Sequence, residues 1–280
     1  MIYENLTLDE ERALYGISDS SVKNCRFDGK ADGESALKET SRIQVENCYM
    51  NLRYPFWHMS DSKIFGCELT ENCRAALWYD RNISIENCKL NGIKALRECE
   101  DIRLTNTSVS SPEFIWKCRN LTVENLEIAE SEYPFFEVRD AKIKNLTMKG
   151  KYSFQYDENI GIEDSNLDTK DAFWHTKNVT VRNSVIKGEY LGWYSENLTL
   201  INCRIVGTQP FCYCKNLVLE NCSLEGCDLA FERSTVNATV SGKIDSVKNP
   251  LSGKIVADEI GEIIIEENIV DKSKTEILCR

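Results

Sequence analysis

The chain has 280 residues, of which 42% are hydrophobic and 28% charged, so there is apolar content enough for a packed core. Its 45 acidic and 34 basic residues leave a formal net charge of −11, which argues against nucleic acid or an anionic membrane as partner. No stretch approaches the length of a membrane span, and Met1 to Glu11 lacks the basic-then-apolar pattern of a signal peptide, so a cytoplasmic location is expected.

In chain order, Met1 to Leu14 allows two readings. Thr7-Leu8-Asp9-Glu10 fits a capping-box helix start and hence an N-terminal lid. Glu4-Asn5-Leu6-Thr7-Leu8 equally imitates the strand pattern of Glu196-Asn197-Leu198-Thr199-Leu200.

From 15 to 232 a repeat dominates. Asn or a stand-in recurs at Asn24, Asn47, Gly66, Asn87, Asn106, Asn125, Asn145, Asp164, Asn183, Asn202 and Asn221, at intervals of 23, 19, 21, 19, 19, 20, 19, 19, 19 and 19 residues. So short a period means a solenoid whose turns stack on one another. Around Asn87, Ile83, Ile85, Cys88 and Leu90 alternate with Ser84, Glu86 and Lys89, which predicts two short strands meeting at a sharp bend. Asn tolerates the left-handed backbone such a bend needs, and stacked amides can bond between turns as an asparagine ladder. A second such column runs through Asn82, Asp101, Asn120, Asp140, Asn159, Asn178, Asn197 and Asn216. Between the two corners a third strand is expected, as in Pro55-Phe56-Trp57-His58 and Ala172-Phe173-Trp174-His175.

The fold class is therefore all-β, a single-stranded parallel β-helix (β-solenoid) with three strands and about 19 residues per turn. Residues 1–280 are expected to make one domain of eleven to thirteen turns, with 233–280 as irregular closing turns ending near Ile269. A leucine-rich repeat fits less well, because an alternating strand follows each Asn where that repeat has a helical segment.

The 13 cysteines suggest a disulfide or metal framework until their phase is read. Cys25, Cys48, Cys67, Cys88, Cys203 and Cys222 share one slot with Thr107, Leu126, Leu146, Ser165 and Ser184, which marks a small buried packing position. Cys212-Tyr213-Cys214 lacks further ligands at zinc spacing. Neither a metal nor a cofactor is expected.

The third strand carries the candidate site. One row, including Phe56, Leu77, Leu96, Ile115 and Phe173, is assigned inward. The next row is assigned outward, since adjacent strand positions oppose and this row also holds Lys38, Arg97 and Gln155; the alternative phase would put its rings in the core. The row includes Trp57, Trp78, Arg97, Trp116, Phe136, Trp174 and Trp193. Such an apolar stripe predicts an interaction surface, for a protein partner, for a second copy of the chain, or for a carbohydrate lying on the rings. Arg97, Glu98, Lys117 and Glu137 interrupt it, and paired carboxylates beside a cation suit acid–base cleavage of a glycoside or a uronic-acid polymer. A solvated ion-pair patch is the plainer reading of the same four residues. His58 and His175 follow Trp in equivalent slots six turns apart and are expected to be stack members, not bases.

The Ile-x-Val-x-Asn-Cys turns (Ile43 to Cys48), Ala13-Leu14-Tyr15-Gly16 and the stretch from Asp245 to Lys254 resemble the uncharacterised bacterial domain-of-unknown-function family 3737, over essentially the whole chain. That family is similar in fold to the pectin-lyase-like β-helices, so the resemblance implies a right-handed coil and no particular activity. Pectate lyases carry an acidic calcium cluster, and polygalacturonases a group of aspartates, on the corresponding outer face. Trp, Phe and Arg stand there in this chain, a departure that tells against pectinolytic chemistry. The sequence is thus read as a ligand- or partner-binding scaffold, with a polysaccharide lyase or glycoside hydrolase as the alternative.

Overall fold

The computed structural model describes residues 1–280. Two compact units, Met1–Thr147 and Met148–Arg280, are each built as a parallel β-solenoid, without an α-helix. The chain makes about 15 turns of about 19 residues, more than the asparagine column alone implies, because both ends also coil.

In the first unit, strands Ile2–Glu4, Ser18–Lys23, Ser41–Glu46, Ser60–Phe65, Arg81–Glu86, Glu100–Ser110 and Arg119–Glu132 pair in that order, all parallel. Thr7–Leu8, Arg26–Phe27, Tyr49–Met50, Glu68–Leu69 and Lys89–Asn91 form the second column. The capping-box pattern at Thr7 therefore starts no helix, because its backbone is engaged with Arg26–Phe27.

Register follows the asparagine spacing. Ser41 faces Ser60, Arg81 faces Glu100 and Glu100 faces Arg119. Surplus residues of the longer turns enter at one place, between the second strand and the third side. Phe27 to Leu37 and Leu69 to Leu77 are the long cases, while Met50 to Phe56 is a short one, and all six side chains are buried. The first surplus loop is held by Asp9, whose Oδ2 accepts from the Ala31 N–H at 3.0 Å and whose carbonyl accepts from Gly33 at 2.9 Å.

The corner residues adopt the left-handed backbone that selects Asn, with φ between 49° and 63° from Asn24 to Asn145. Their amides also bond between turns. Asn125 Nδ2 donates to Asn106 Oδ1 at 2.8 Å, and Asn145 Nδ2 to Asn125 Oδ1 at 2.7 Å. At the other corner Asn82 donates to Asp61 at 2.8 Å and Asn120 to Asp101.

The third side departs from expectation. In the first unit only Leu77–Trp78 and Leu96–Arg97 pair as strands there, with isolated bridges from Arg97 to Trp116 and from Trp116 to Phe136. Elsewhere alternate residues turn left-handed, as at Glu113, Ile115 and Lys117 (φ 56°, 56° and 54°). A branched residue such as Ile115 resists that conformation by about 1–2 kcal/mol. Its complete burial, at 1% exposure, offsets the strain.

In the second unit, Glu158–Glu163, Lys177–Arg182, Glu196–Ile201, Leu217–Glu225, Thr235–Ser241, Ser252–Ala257 and Thr275–Cys279 form the first column. Lys243–Lys248 and Glu259–Ile264 make a separate parallel pair. Coiling thus continues beyond Ile269 to Cys279. Here Asn197 Nδ2 donates to Asn178 Oδ1 at 2.8 Å, and Asn221 Nδ2 to Asn202 Oδ1 at 2.9 Å.

All 13 thiols are free, and only Cys279 is exposed. The shared slot is a hydrogen-bonded column. Cys25 N–H donates to Cys48 Sγ and Cys48 N–H to Cys67 Sγ, both at 3.4 Å, while Thr107 Oγ1 accepts from Cys88 N–H at 3.3 Å. Interchangeable Cys, Thr and Ser at this slot share that small acceptor role.

Candidate functional site

On the third side of the first unit, Phe56, Leu77, Leu96, Ile115 and Phe135 fill the core, and Trp57, Trp78, Arg97, Trp116 and Phe136 stand half-buried outside it. The rings are not free platforms. Trp57 meets Trp78 edge-on at 5.2 Å, and Trp116 lies 4.7 Å from Phe136. Arg97 is intercalated between two of them, its guanidinium 5.1 Å from the Trp78 ring and 4.8 Å from the Trp116 ring. Indole N–H groups pin the rings to the loops: Trp57 donates to Ala75 O at 2.6 Å and Trp116 to Tyr133 O at 2.7 Å.

The second unit repeats the arrangement more regularly. Trp174 and Trp193 stack at 5.5 Å and donate to Tyr190 O and Gln209 O. In the adjoining slot Tyr156, His175, Tyr194 and Tyr213 form a continuous stack with spacings of 5.0, 5.0 and 4.8 Å and tilts of 10° or less. Faces stacked at this distance are shielded from a ligand, so both columns present mainly ring edges. His58 likewise stacks on Tyr79 at 5.1 Å, and both histidines are stack members.

The residues immediately after the Trp row form one wall of a cleft of about 810 Å³ in the first unit. His58, Tyr79, Glu98, Lys117 and Glu137 make that wall, and Ser60, Arg81, Glu100, Arg119 and Arg139 make the other. Met59, Cys99 and Cys118 form a closed floor, each at 1% exposure. The geometry follows from the chain: residues on either side of a buried position both project outward, so each turn gives one residue to each wall.

Three of the four charged candidates therefore come together, while Arg97 leaves the cleft for the ring stack. Glu98 Oε1 lies 3.8 Å from Arg97 Nε, and Lys117 Nζ lies 3.7 Å from Glu137 Oε2. Opposite them, Arg119 Nη2 donates to Glu100 Oε2 at 2.8 Å, and Arg81 Nε is 3.7 Å from the same oxygen. With Glu39, the acids lining the cleft number four, matched by Arg81, Lys117, Arg119 and Arg139. Glu100, Arg81 and Arg119 escape a reading confined to the third side, because they open the following strand. Their signal is positional, two residues after each member of the first wall.

In the same column as the floor residues, between Met59 and Cys99, Asp80 is wholly buried. Its Oδ1 accepts from the Met59 N–H at 2.8 Å and its Oδ2 has no partner. Burial holds its carboxyl well above the usual carboxylate range, nearby Cys99 adds to the effect, and the Met59 bond opposes it.

No helix is long and apolar enough to cross a membrane. No curated protein matches the chain. Among solved structures it is similar to PfbA, a surface adhesin of Streptococcus pneumoniae, at 9% identity over 80% of this chain and 71% of that one, with a TM-score of 0.37. It is also similar to the A-module of the Azotobacter vinelandii mannuronan C-5 epimerase AlgE6, at 12% identity over 95% and 90%, with a TM-score of 0.33. A third is the catalytic domain of a GH87 α-1,3-glucanase, at 9% identity over 100% and 63%, with a TM-score of 0.33. The model of the family described as protein of unknown function (DUF3737) matches residues 1–278, and the chain belongs to that family.

Proposed function

We propose that the chain is a binding scaffold whose first-unit cleft takes an elongated polar ligand, with carbohydrate as the favoured class. One observation carries this reading: a single cleft runs across six successive turns, from Glu39 to Glu137, with hydrogen-bonding groups on both walls and an apolar floor. Such a furrow matches a chain-like ligand that repeats its contacts turn after turn. The aromatic columns belong to the same surface as its framework. Trp57, Trp78, Trp116 and Phe136 hold the first wall in place, and Trp174 and Trp193 form the corresponding ring column in the second unit.

The test is a glycan array on the full chain, with the solution mass measured in parallel. Lys117→Met should weaken binding with the fold intact, and Trp116→Ala should weaken it by loosening the wall. Binding unchanged by both substitutions would refute the reading, as would a dimer that occludes the cleft.

A second reading, a glycoside hydrolase or polysaccharide lyase, draws on one feature. Glu98 and Glu100 face each other across the cleft on one turn, an arrangement two-carboxylate cleavage requires. It predicts that Glu98→Gln and Glu100→Gln each abolish turnover of a bound glycan without abolishing its binding.

A further inference from the structure

We infer that the first-unit cleft selects a glycan carrying a free amine and an acidic group on neighbouring units, the amine meeting Glu98 and Glu100 and the acid meeting Lys117 and Arg119. This rests on the cleft being a glycan site. It follows from how charge is arranged along the furrow.

Each turn contributes one residue to each wall, and two consecutive turns contribute like pairs. Glu98 and Glu100 flank buried Cys99, and Lys117 and Arg119 flank buried Cys118. Glu100 and Arg119 are direct partners in the parallel register, so the anionic and cationic rungs are about 4.8 Å apart. The two central rungs are therefore of opposite charge, flanked by Arg81 on the acidic side and by Glu137 on the basic side. The cleft's acids and bases balance in a chain whose net charge is −11.

Glu98 and Lys117 stand one rung apart in the same column, yet no ion pair joins them. Glu98 leans back to Arg97 at 3.8 Å, and Lys117 leans forward to Glu137 at 3.7 Å. Both contacts are longer than a hydrogen bond, and the two side chains are 34% and 46% exposed. Each thus has hydrogen-bonding capacity facing the furrow. On the opposite wall Glu100 is held by Arg119 at 2.8 Å, which fixes the alternation.

A polyanionic glycan would place a negative group beside Glu98 and Glu100, and like-charge juxtaposition is an effective means of rejection. A neutral glycan offers both rungs hydroxyl hydrogen bonds but no ion pair. A chain with an unsubstituted amino sugar beside a uronic acid satisfies both, through charge-assisted hydrogen bonds.

The experiment compares three oligosaccharides of equal length on the full chain at pH 6.5. They are an N-unsubstituted glucosamine–glucuronate oligomer, the same oligomer fully N-acetylated, and a neutral glucan. The free-amine oligomer should bind about tenfold more tightly than its N-acetylated form. That ratio should collapse in Glu98→Gln, Lys117→Met should weaken the free-amine oligomer, and added salt should shrink the preference in the native chain. Equal or tighter binding of the N-acetylated oligomer or the glucan would overturn the two-rung selectivity while leaving a glycan site standing. Binding of none of the three would remove the glycan site as well. Should Glu98→Gln fail to fold, the N-acetylation ratio and its salt dependence in the native chain decide the matter.

Discussion

Replacing Asp80 by Asn should stabilise the protein, and by more as pH rises. The side chain is fully buried, with one oxygen bonded to the Met59 N–H and the other bonded to nothing. Burial raises its carboxyl pKa in the folded state. An unfolded aspartate releases its proton near 3.9, so the folded state holds a proton that the unfolded state has already lost. The sign follows: Asp80 costs nothing extra below about pH 4, and its penalty grows as pH climbs toward the folded-state pKa. Asn keeps the acceptor that serves Met59 and replaces the unpartnered oxygen with a neutral amide. The amide N–H groups inherit the unpartnered place, so the gain is the proton linkage alone, about 1.4 kcal/mol for each pH unit between 3.9 and the folded-state pKa. For a chain of this length that corresponds to roughly 2–5 °C in Tm per pH unit. Thermal unfolding of both proteins from pH 5.5 to 8.5 isolates the effect, because every other titrating group is common to the two. A difference independent of pH, or a variant that loses ground as pH rises, would refute this account of Asp80.

Three other expectations concern packing and access. A Cβ built on Gly188, at φ 154°, would lie 1.4 Å from the Thr169 carbonyl oxygen, so Gly188→Ala should lower Tm by several degrees or prevent folding, as circular dichroism would show. Iodoacetamide should label native protein at Cys279 alone, because the other thiols are buried and burial pushes Cys73 and Cys227 up to about 12. Cys203 is the stringent case: the hydrogen bond from Cys222 draws it down to about 7, yet it is buried, so peptide mapping that finds Cys203 labelled would contradict the packing. Arg97→Met should cost about 1–2 kcal/mol through loss of the guanidinium between Trp78 and Trp116, with a shift in tryptophan emission.

Periodicity made the coil legible because the same register that stacks Asn87 on Asn106 also stacks every other slot. Counting set the rows of Phe56 and Trp57 on opposite faces, and the Lys38, Arg97 and Gln155 that share the Trp57 row marked it as the outer one. The cleft did not, since Glu98 and Glu100 belong to different sides of the coil and meet only across a bend whose angle no repeat encodes. Ring faces were equally hidden: Trp116 looks like a sugar platform in sequence, but Arg97 and Phe136 on adjacent turns cover it. The third side was taken for a strand because Ile115 and Phe173 favour one. Burial of those side chains outweighs their preference and drives the backbone left-handed. Asp80 was within reach of comparison, for its slot holds Thr40, Met59, Cys99 and Cys118 in neighbouring turns, and an acid among them is the anomaly.

From Asn24 to Asn221, surplus length in the longer turns enters between the second strand and the third side, leaving the other corners with their single Asn, Asp or Gly, while the last turn takes its extra residues between Glu259–Ile264 and Thr275–Cys279. Through that stretch the coil therefore absorbs extra length at one seam while the stacking elsewhere stays in register. A designer wishing to graft a foreign epitope or a reporter peptide would choose the same seam, beside Gly33 or Asn72, and would expect the remaining turns to assemble as before.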